Sequence, residues 1–405
     1  MSFDTRVNHC HRFLDPGLAP FSLEVQTMHD RLFDDELRAF QSTLRKWIDK
    51  EIVPHHESWE KEGRVPVELW RKAGEQGYLC VTQAEEYGGL GLDFRYAAVG
   101  MEELARAGAS GVGFPLHSDI VAPYVERYGT EEQKQRWLPK MATGESIGAI
   151  AMSEPGTGSD LQGIATRAVL DGDEWVLNGS KTFISNGLTC DLVVVVARTE
   201  EAEGYQSQSL IVVEKDAPGF QRGKRLEKMG LHAQDTAELH FEDCRVPKEN
   251  LIGERGMGFM YLMQQLARER LLIAIGCVAG ARQALDMTVA YVKERKAFGR
   301  PIAGFQNTKF KLAELATEVS VGEAFVDRCI QEIVEGNENA VDASMAKYWT
   351  SEMLCRVVDE CVQLHGGYGY MMEYPIAKAY LDARVQRIYG GTTEIMKEII
   401  ARSLL

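Results

Sequence analysis

Apolar positions along this chain follow two different periods, and the period changes twice. Over residues 34–53 they recur at helical spacing, with Leu37, Phe40, Leu44, Trp47 and Ile48 on one face. Pro54 ends that run, because proline has no N–H to donate and its ring clashes with the preceding turn. Similar spacing predicts helices over 67–74, 96–106, 118–128 and 130–141, separated by glycine-rich joints such as Tyr87-Gly88-Gly89-Leu90-Gly91. Thr130 and Gln133 have the spacing of a capping box at the start of the last of these. Residues 1–30 carry no such pattern and are expected to form an arm, with a helical domain over 31–146.

From Ile147 the period shortens. Residues 166–170 and 174–177 flank Asp171-Gly172-Asp173, a hairpin signal. The aliphatic run 192–197 predicts a strand buried on both faces. Strands over 210–213 and 237–241 complete a small β domain over 147–258, with a polar loop at 200–208 and an irregular stretch at Pro218-Gly219. Helical stripes then return over 259–405: 259–296 as one helix or two, then 309–335, 342–364, 376–387 and 393–404. Long amphipathic helices of this kind pack as a four-helix-type bundle. The fold class is therefore α+β: an all-helical N-terminal domain, a small barrel-like β-sheet domain in the middle, and a C-terminal helical bundle.

Charge and composition remove several alternatives. A net charge of −15 leaves no basic stripe for nucleic acid. Eight cysteines form no Cys-x-x-Cys pair, and the nine histidines form no zinc-like pattern, so neither metal nor disulfide framework is expected. No uninterrupted apolar run approaches the ~18 residues of a membrane span, so no integral membrane association is expected. The first residues include Asp4, Asp15 and Glu24 without an apolar core, unlike a secretory or transit segment; a cytoplasmic compartment is expected.

The chemistry concentrates in a few stretches. Residues 151–163 read AMSEPGTGSDLQG, in which Gly156 and Gly158 permit a tight turn and Ser153, Glu154, Thr157, Ser159 and Asp160 add hydrogen-bonding groups. Such a loop suits a polar planar or phosphorylated ligand, or is a plain turn between domains. Glu269 lies in an apolar helical stripe with Leu262, Leu266, Ile273 and Gly276. A carboxylate there is costly unless paired, for which Arg268 and Arg270 are at hand, or useful as a general base with a raised pKa. Glu294-Arg295-Lys296-Ala297-Phe298-Gly299 ends a helix, where cations suit the dipole and where Arg295 could also reach a pyrophosphate. Gln363-Leu364-His365-Gly366-Gly367 is either a helix cap or a ligand loop. Gly390-Gly391-Thr392-Thr393 puts bare backbone before a capped helix N-terminus, a place to donate amides to an oxygen. A third glycine and a βαβ setting are missing around 156–161, which argues against a nicotinamide-binding Rossmann domain; phosphate-loop and nucleophile-elbow motifs are missing as well.

In this order the motifs resemble the acyl-CoA dehydrogenase family, from about residue 35 to the C-terminus. AMSEPGTGSD resembles its flavin-loop signature, and ERKAFG, DECVQLHGGYGY and YGGTTEIMKEIIAR its C-terminal motifs. KMGLHAQDTAELHFED, ERLLIA, MAKYW and EYPIAKAYLDARVQRIYGGT are similar to the long-chain branch. The resemblance implies FAD as cofactor, with Ile150, Met152, Ser153, Gly158, Ser159, Phe183, Ile184 and Ser185 along the flavin ring. It implies Arg295, Phe298, Gln306, Gln363, Gly366 and Gly367 on the pyrophosphate and adenosine, partly across a subunit boundary, and Thr392 and Glu394 also on FAD. Ser159, Ala267, Arg268, Arg270, Gly390 and Gly391 would contact acyl-CoA. Many members carry the catalytic glutamate directly after the tyrosine matching Tyr389, where this chain has Gly390. The long-chain and isovaleryl branches place the base at the position of Glu269, the carboxylate already singled out by its surroundings. Implied with these are α,β-dehydrogenation of a medium-to-long-chain acyl-CoA, electron-transfer flavoprotein as acceptor, and a homotetramer. An acyl-CoA oxidase, a short- or branched-chain dehydrogenase and a non-catalytic thioester-binding subunit are the alternatives, with Glu394 as runner-up base. Small residues at Gly111-Val112-Gly113 are expected to leave room for the acyl chain.

Overall fold

A computed structural model describes residues 32–200 and 204–405, so the arm expected over 1–30 lies outside the described residues. The N-terminal part is helical: α1 (Asp35–Glu51), α2 (His56–Glu62), α3 (Val67–Glu75), α4 (Phe94–Arg106), α5 (Ala122–Tyr128) and α6 (Glu131–Ala142). Asp34 caps α1 by accepting from the Leu37 amide at 2.8 Å. Thr130 and Gln133 form the capping box of α6. The periodicity does not mark α2, which buries only His56 and Trp59 in seven otherwise polar residues. A turn of π-helix over Leu116–Val121 leads into α5.

Eight strands form one sheet: β1 (Gly148–Ala151), β2 (Arg167–Asp171), β3 (Glu174–Ser185), β4 (Leu192–Arg198), β5 (Gln208–Glu214), β6 (Phe220–Arg225), β7 (Thr236–Pro247) and β8 (Leu251–Ile252). They lie in the order β6-β7-β3-β2-β4-β5-β8, with β1 parallel to β4. The β2–β3 hairpin pairs Asp171 with Glu174. Leu192 to Ala197 in β4 are buried on both faces. β6 falls where an irregular stretch is expected. It is an edge strand with mostly exposed side chains, so no alternation of buried positions advertises it.

The C-terminal part holds α7 (Gly258–Glu294), α8 (Gln306–Val334), α9 (Ala340–His365), α10 (Pro375–Ala383) and α11 (Thr393–Leu404). The stretch that could be one helix or two is the single 37-residue α7. By length and composition α7 is the one helix among the described residues that could cross a membrane, but 61% of its apolar window is buried inside the protein. It is apolar nearly all round because it is the central helix of the bundle.

Two cores meet on α7. One joins the N-terminal helices to the bundle through Leu37, Trp70, Val99, Leu272, Val319 and Met353. The other joins α5 and α6 to one face of the sheet through Tyr124, Trp137, Val194, Val212 and Leu262. Along α7, Leu262 belongs to the second core and Leu271 to the first, and Glu269 lies between them.

Candidate active site

Glu269 is 6% exposed, and its Oε1 accepts a hydrogen bond from the Tyr124 hydroxyl at 2.7 Å. Burial pushes its carboxyl up to about 7, although the Tyr124 hydrogen bond and the nearby Arg270 charge both favour the anion. Desolvation therefore outweighs both partners, leaving a carboxyl that titrates near neutrality. Arg268 is not its partner: it pairs with Glu338 at 2.7 Å and lies over the Phe94 ring.

The glycine pair comes to this carboxyl from the far end of the chain. Gly390 and Gly391 have φ of 63° and 92°, a left-handed backbone that other residues adopt at a cost. A Cβ at Gly390 would lie 2.3 Å from Ile273 Cδ1, and Ile273 is one turn beyond Glu269 on the same face of α7. A glutamate at 390 would thus start from a left-handed backbone and run into Ile273. Two buried cations hold the pair's carbonyls. Lys347 Nζ donates to the Gly391 carbonyl at 2.5 Å, and Arg270 Nε approaches the Gly390 carbonyl at 3.5 Å. Arg270 Nη1 also reaches Ser344 Oγ at 3.4 Å. Burial lowers the Lys347 ammonium to about 8.

The loop after β1 forms a second group. Glu154 is consumed internally: it accepts from the amides of Ala165 (2.7 Å) and Thr166 (2.9 Å) and from Lys181 Nζ (2.9 Å). Lys181 also donates to the Met152 carbonyl at 3.0 Å, and the Thr182 amide to the Ser153 carbonyl at 2.9 Å. Glu154 is therefore a scaffold of this loop, not one of its ligand-facing acceptors. Gly158, Ser159 and Asp160 remain exposed, and Ile150 packs against the sheet core. Beside them Phe183 stands 70% exposed at φ 61°, and Ser185 is half-buried. The Ile184 side chain packs in the sheet core, which leaves only its backbone to face a ligand.

Replacing Lys181 by Met would leave Glu154 buried without its counter-charge. The expected loss is about 3 kcal/mol of stability, read as a lower urea midpoint. An unchanged midpoint would mean that the two amides alone hold the loop.

A third group lies elsewhere. Arg295 caps the C-terminal end of α7 and sits 5.4 Å from the Tyr368 ring centre. Phe298 is 94% exposed, and Gln306, Gln363, Gly366 and Gly367 are exposed too. Arg295 lies 26 positions beyond Glu269, roughly 39 Å along the helix axis. Within one chain this cluster does not join the site around Glu269. Thr392 does adjoin it, capping α11 by accepting from the Ile395 amide at 3.3 Å, with Glu394 exposed in the first turn. Ala267 and Arg268 turn away from Glu269. Ala267 lines a small cavity with Cys329 and Ile333, and Arg268 is held by Glu338.

Tyr124 and Lys347 are candidate site residues that the sequence analysis does not name. Tyr124 reads as one more apolar position of a short helix. Lys347 carries the same signal as Glu269, a charge inside an apolar stripe. Tyr124→Phe removes a hydrogen bond that favours the carboxylate, so the Glu269 carboxyl should move up from about 7. Activity that needs the anion rises with pH through that value, and its rising limb should shift to higher pH in the variant. A pH profile of kcat/KM checks this; an unmoved limb counts against Glu269 as the titrating group.

The fold thus brings a buried carboxyl that titrates near neutrality and a left-handed glycine pair to the same stretch of α7, an arrangement that suits an enzyme site. Comparison with known proteins gives the family. Models of the acyl-CoA dehydrogenase N-terminal, middle and C-terminal domains match residues 34–145, 149–244 and 256–405. The chain belongs to the acyl-CoA dehydrogenase family, which is FAD-dependent. It is 53% identical to the long-chain specific acyl-CoA dehydrogenase of Rattus norvegicus over 377 residues, covering 93% of this chain and 88% of that protein. An acyl-CoA dehydrogenase structure from Geobacillus kaustophilus superposes with a TM-score of 0.91 at 53% identity, covering 92% of this chain and 99% of that one. One from Bacillus anthracis, complexed with FAD, gives a TM-score of 0.86 at 34% identity, covering 93% of this chain and 69% of that one.

Proposed function

We propose that the chain oxidises medium-to-long-chain fatty acyl-CoA thioesters to trans-2-enoyl-CoA, the first step of fatty-acid β-oxidation, with FAD as cofactor. The observation that carries this reading is Glu269, buried, hydrogen-bonded to Tyr124 and one turn from Ile273, the side chain that Gly390 packs against. The loop after β1 fits a flavin: Phe183 offers an exposed ring, and nothing lies within 4 Å of a Cβ built at Gly156 or Gly158. Bound FAD supplies the acceptor for the hydrogen and electron pair that leave the β-carbon. Glu269 as the carboxylate takes the α-proton, and burial keeps competing water from it. The Gly390 amide donates to the thioester oxygen, where enolate-like charge develops. Lys347 and Arg270 hold the two glycines in that position.

Arg295, Phe298, Gln306, Gln363, Gly366 and Gly367 would hold the pyrophosphate and adenosine of a cofactor seated on a neighbouring subunit. Their exposure and their distance from Glu269 support that arrangement. Exposed Phe310 and Val321 on α8 add apolar surface for the same assembly, a homotetramer. Electron-transfer flavoprotein would take the electrons onward.

The test is an anaerobic titration of the purified protein with saturated acyl-CoAs from butyryl to palmitoyl, plus isovaleryl. Bleaching of the yellow band by the longer chains is the expected result. Bound FAD that no member of the panel bleaches would overturn the proposal.

A further inference from the structure

Phe183 stands at a β-bulge. From Lys181 to Ile184, β3 advances three residues, while β7 opposite advances two, from Leu239 to Ala237. The extra residue bends the strand and re-aims a side chain. Phe183 takes φ of 61°, and its ring is thrown outward. A bulky residue in left-handed backbone is strained and persists only where its neighbours hold it. Here they hold it from both sides. Before the bulge, Lys181 and Thr182 donate to the carbonyls of Met152 and Ser153, as described above. After it, Asn186 Nδ2 donates to the Gly148 carbonyl at 3.1 Å. Among the described residues β1 is laddered to β4 and not to β3, so these bonds close the seam between the two segments.

Asn186 is 3% exposed, and both polar atoms of its side chain are engaged. Besides donating to Gly148, it accepts at Oδ1 from Gln234 Nε2, at 3.0 Å. A carbonyl can only accept, which fixes the orientation of the amide. Its backbone N–H donates to the Asp235 carbonyl at 3.1 Å, and its carbonyl accepts from the amides of Thr189 (3.1 Å) and Cys190 (2.7 Å). Its own φ is 59°, which asparagine tolerates better than most non-glycine residues. One side chain thus joins the end of β3, the start of β1 and the β6–β7 connection, residues 226–235, where the KMGLHAQD stretch lies.

The loop after α4 is shaped to the same pair. At Gly113 a Cβ would meet Asn186 Oδ1 at 2.5 Å, and at Gly111, φ +88°, one would meet the backbone nitrogen of Gln234 at 2.4 Å. These two glycines serve close packing on Asn186 and Gln234; they do not leave room for an acyl chain, contrary to the expectation above. Four segments far apart in sequence converge on one buried amide. What the convergence fixes is residues 183–185, the part of β3 that turns a strained ring outward beside the loop after β1.

We infer that Asn186 is a positioning residue for the flavin: it locks the bulge, so that Phe183 and the backbone of Ile184 and Ser185 form one fixed surface with the loop after β1. The inference rests on the assignment of these two segments to the flavin ring. It is tested with Asn186→Gly, which adopts the left-handed backbone freely and deletes both side-chain bonds, and with Gln234→Ala, which deletes one of them. The holoenzymes are compared by the rate of FAD release, read as rising flavin fluorescence, by the shape of the visible flavin band, and by thermal unfolding. Asn186→Gly should release FAD about tenfold faster, the size of effect that one lost buried hydrogen bond carries, and should shift the band. Gln234→Ala should act in the same direction by less, about two- to threefold. A role in stability alone would lower the unfolding temperature and leave release and band, measured well below that temperature, as in the wild type. That result in Asn186→Gly overturns the inference. Should Asn186→Gly not fold, an unchanged release rate and band in Gln234→Ala overturns it. Wild-type protein that takes up no FAD when it is supplied in excess overturns the flavin assignment itself, and the inference falls with it.

Discussion

Glu269→Gln should retain bound yellow flavin and lose turnover by about 10²–10⁴-fold, the range contributed by a positioned general base. Glutamine has the same shape and can still accept from Tyr124, so the geometry of the site survives the change. It cannot take a proton from carbon. Stability should not fall, because a neutral amide replaces a carboxyl whose ionised form burial already disfavours. Anaerobic bleaching by an acyl-CoA, measured beside thermal unfolding, separates the two effects. An undiminished bleaching rate would remove Glu269 from its role and return Glu394 to consideration. Glu394 is exposed at the start of α11, where hydrogen bonds from its own backbone amide and from Thr392 hold its carboxyl below the usual range. That is a poor setting for a base meant to work near neutrality.

Gly390→Ala should be nearly as damaging without touching an ionisable group. Its φ of 63° costs a non-glycine residue about 1–2 kcal/mol, and the new Cβ would lie 2.3 Å from Ile273 Cδ1. The Ile273 methyl group can turn aside, but the left-handed backbone strain remains, and relieving it displaces the amide assigned to the thioester oxygen. Losing one such donor costs about 10²–10³-fold in kcat. The expected pattern is a fall in kcat with KM little changed. Adding Ile273→Ala relieves the collision but not the backbone strain, so partial recovery would apportion the two causes. Full activity in Gly390→Ala would show that this amide is not part of the chemistry.

Most elements follow from periodicity because they bury one face. α1, α8, α9 and β4 each present a stripe or run that has a single solution. α2 and β6 escape because their buried side chains are too few to set a period. Glu269 was legible for the reason that makes it useful: a carboxylate among apolar residues at helical spacing has to be paired or functional. Lys347 and Lys181 were equally anomalous, but anomaly alone does not say which backbone carbonyl or carboxylate a buried ammonium meets. Their partners, Gly391 and Glu154, lie 44 and 27 residues away along the chain.

The amino-acid order by itself determined the helical–β–helical plan, the buried carboxyl on the central helix and the glycine pair that lacks a side chain beside it. These depend on local spacing and on the chemistry of single residues. Only the tertiary structure decided that Tyr124 holds Glu269, that Gly390 stands against Ile273, that Gly111 lies against the Gln234 backbone and Gly113 against the Asn186 side chain so that neither leaves room for an acyl chain as expected, and that the Arg295 cluster stands apart from the base. Each of these is a meeting of segments far apart in sequence, fixed by how the two cores close around α7, and no local pattern encodes it.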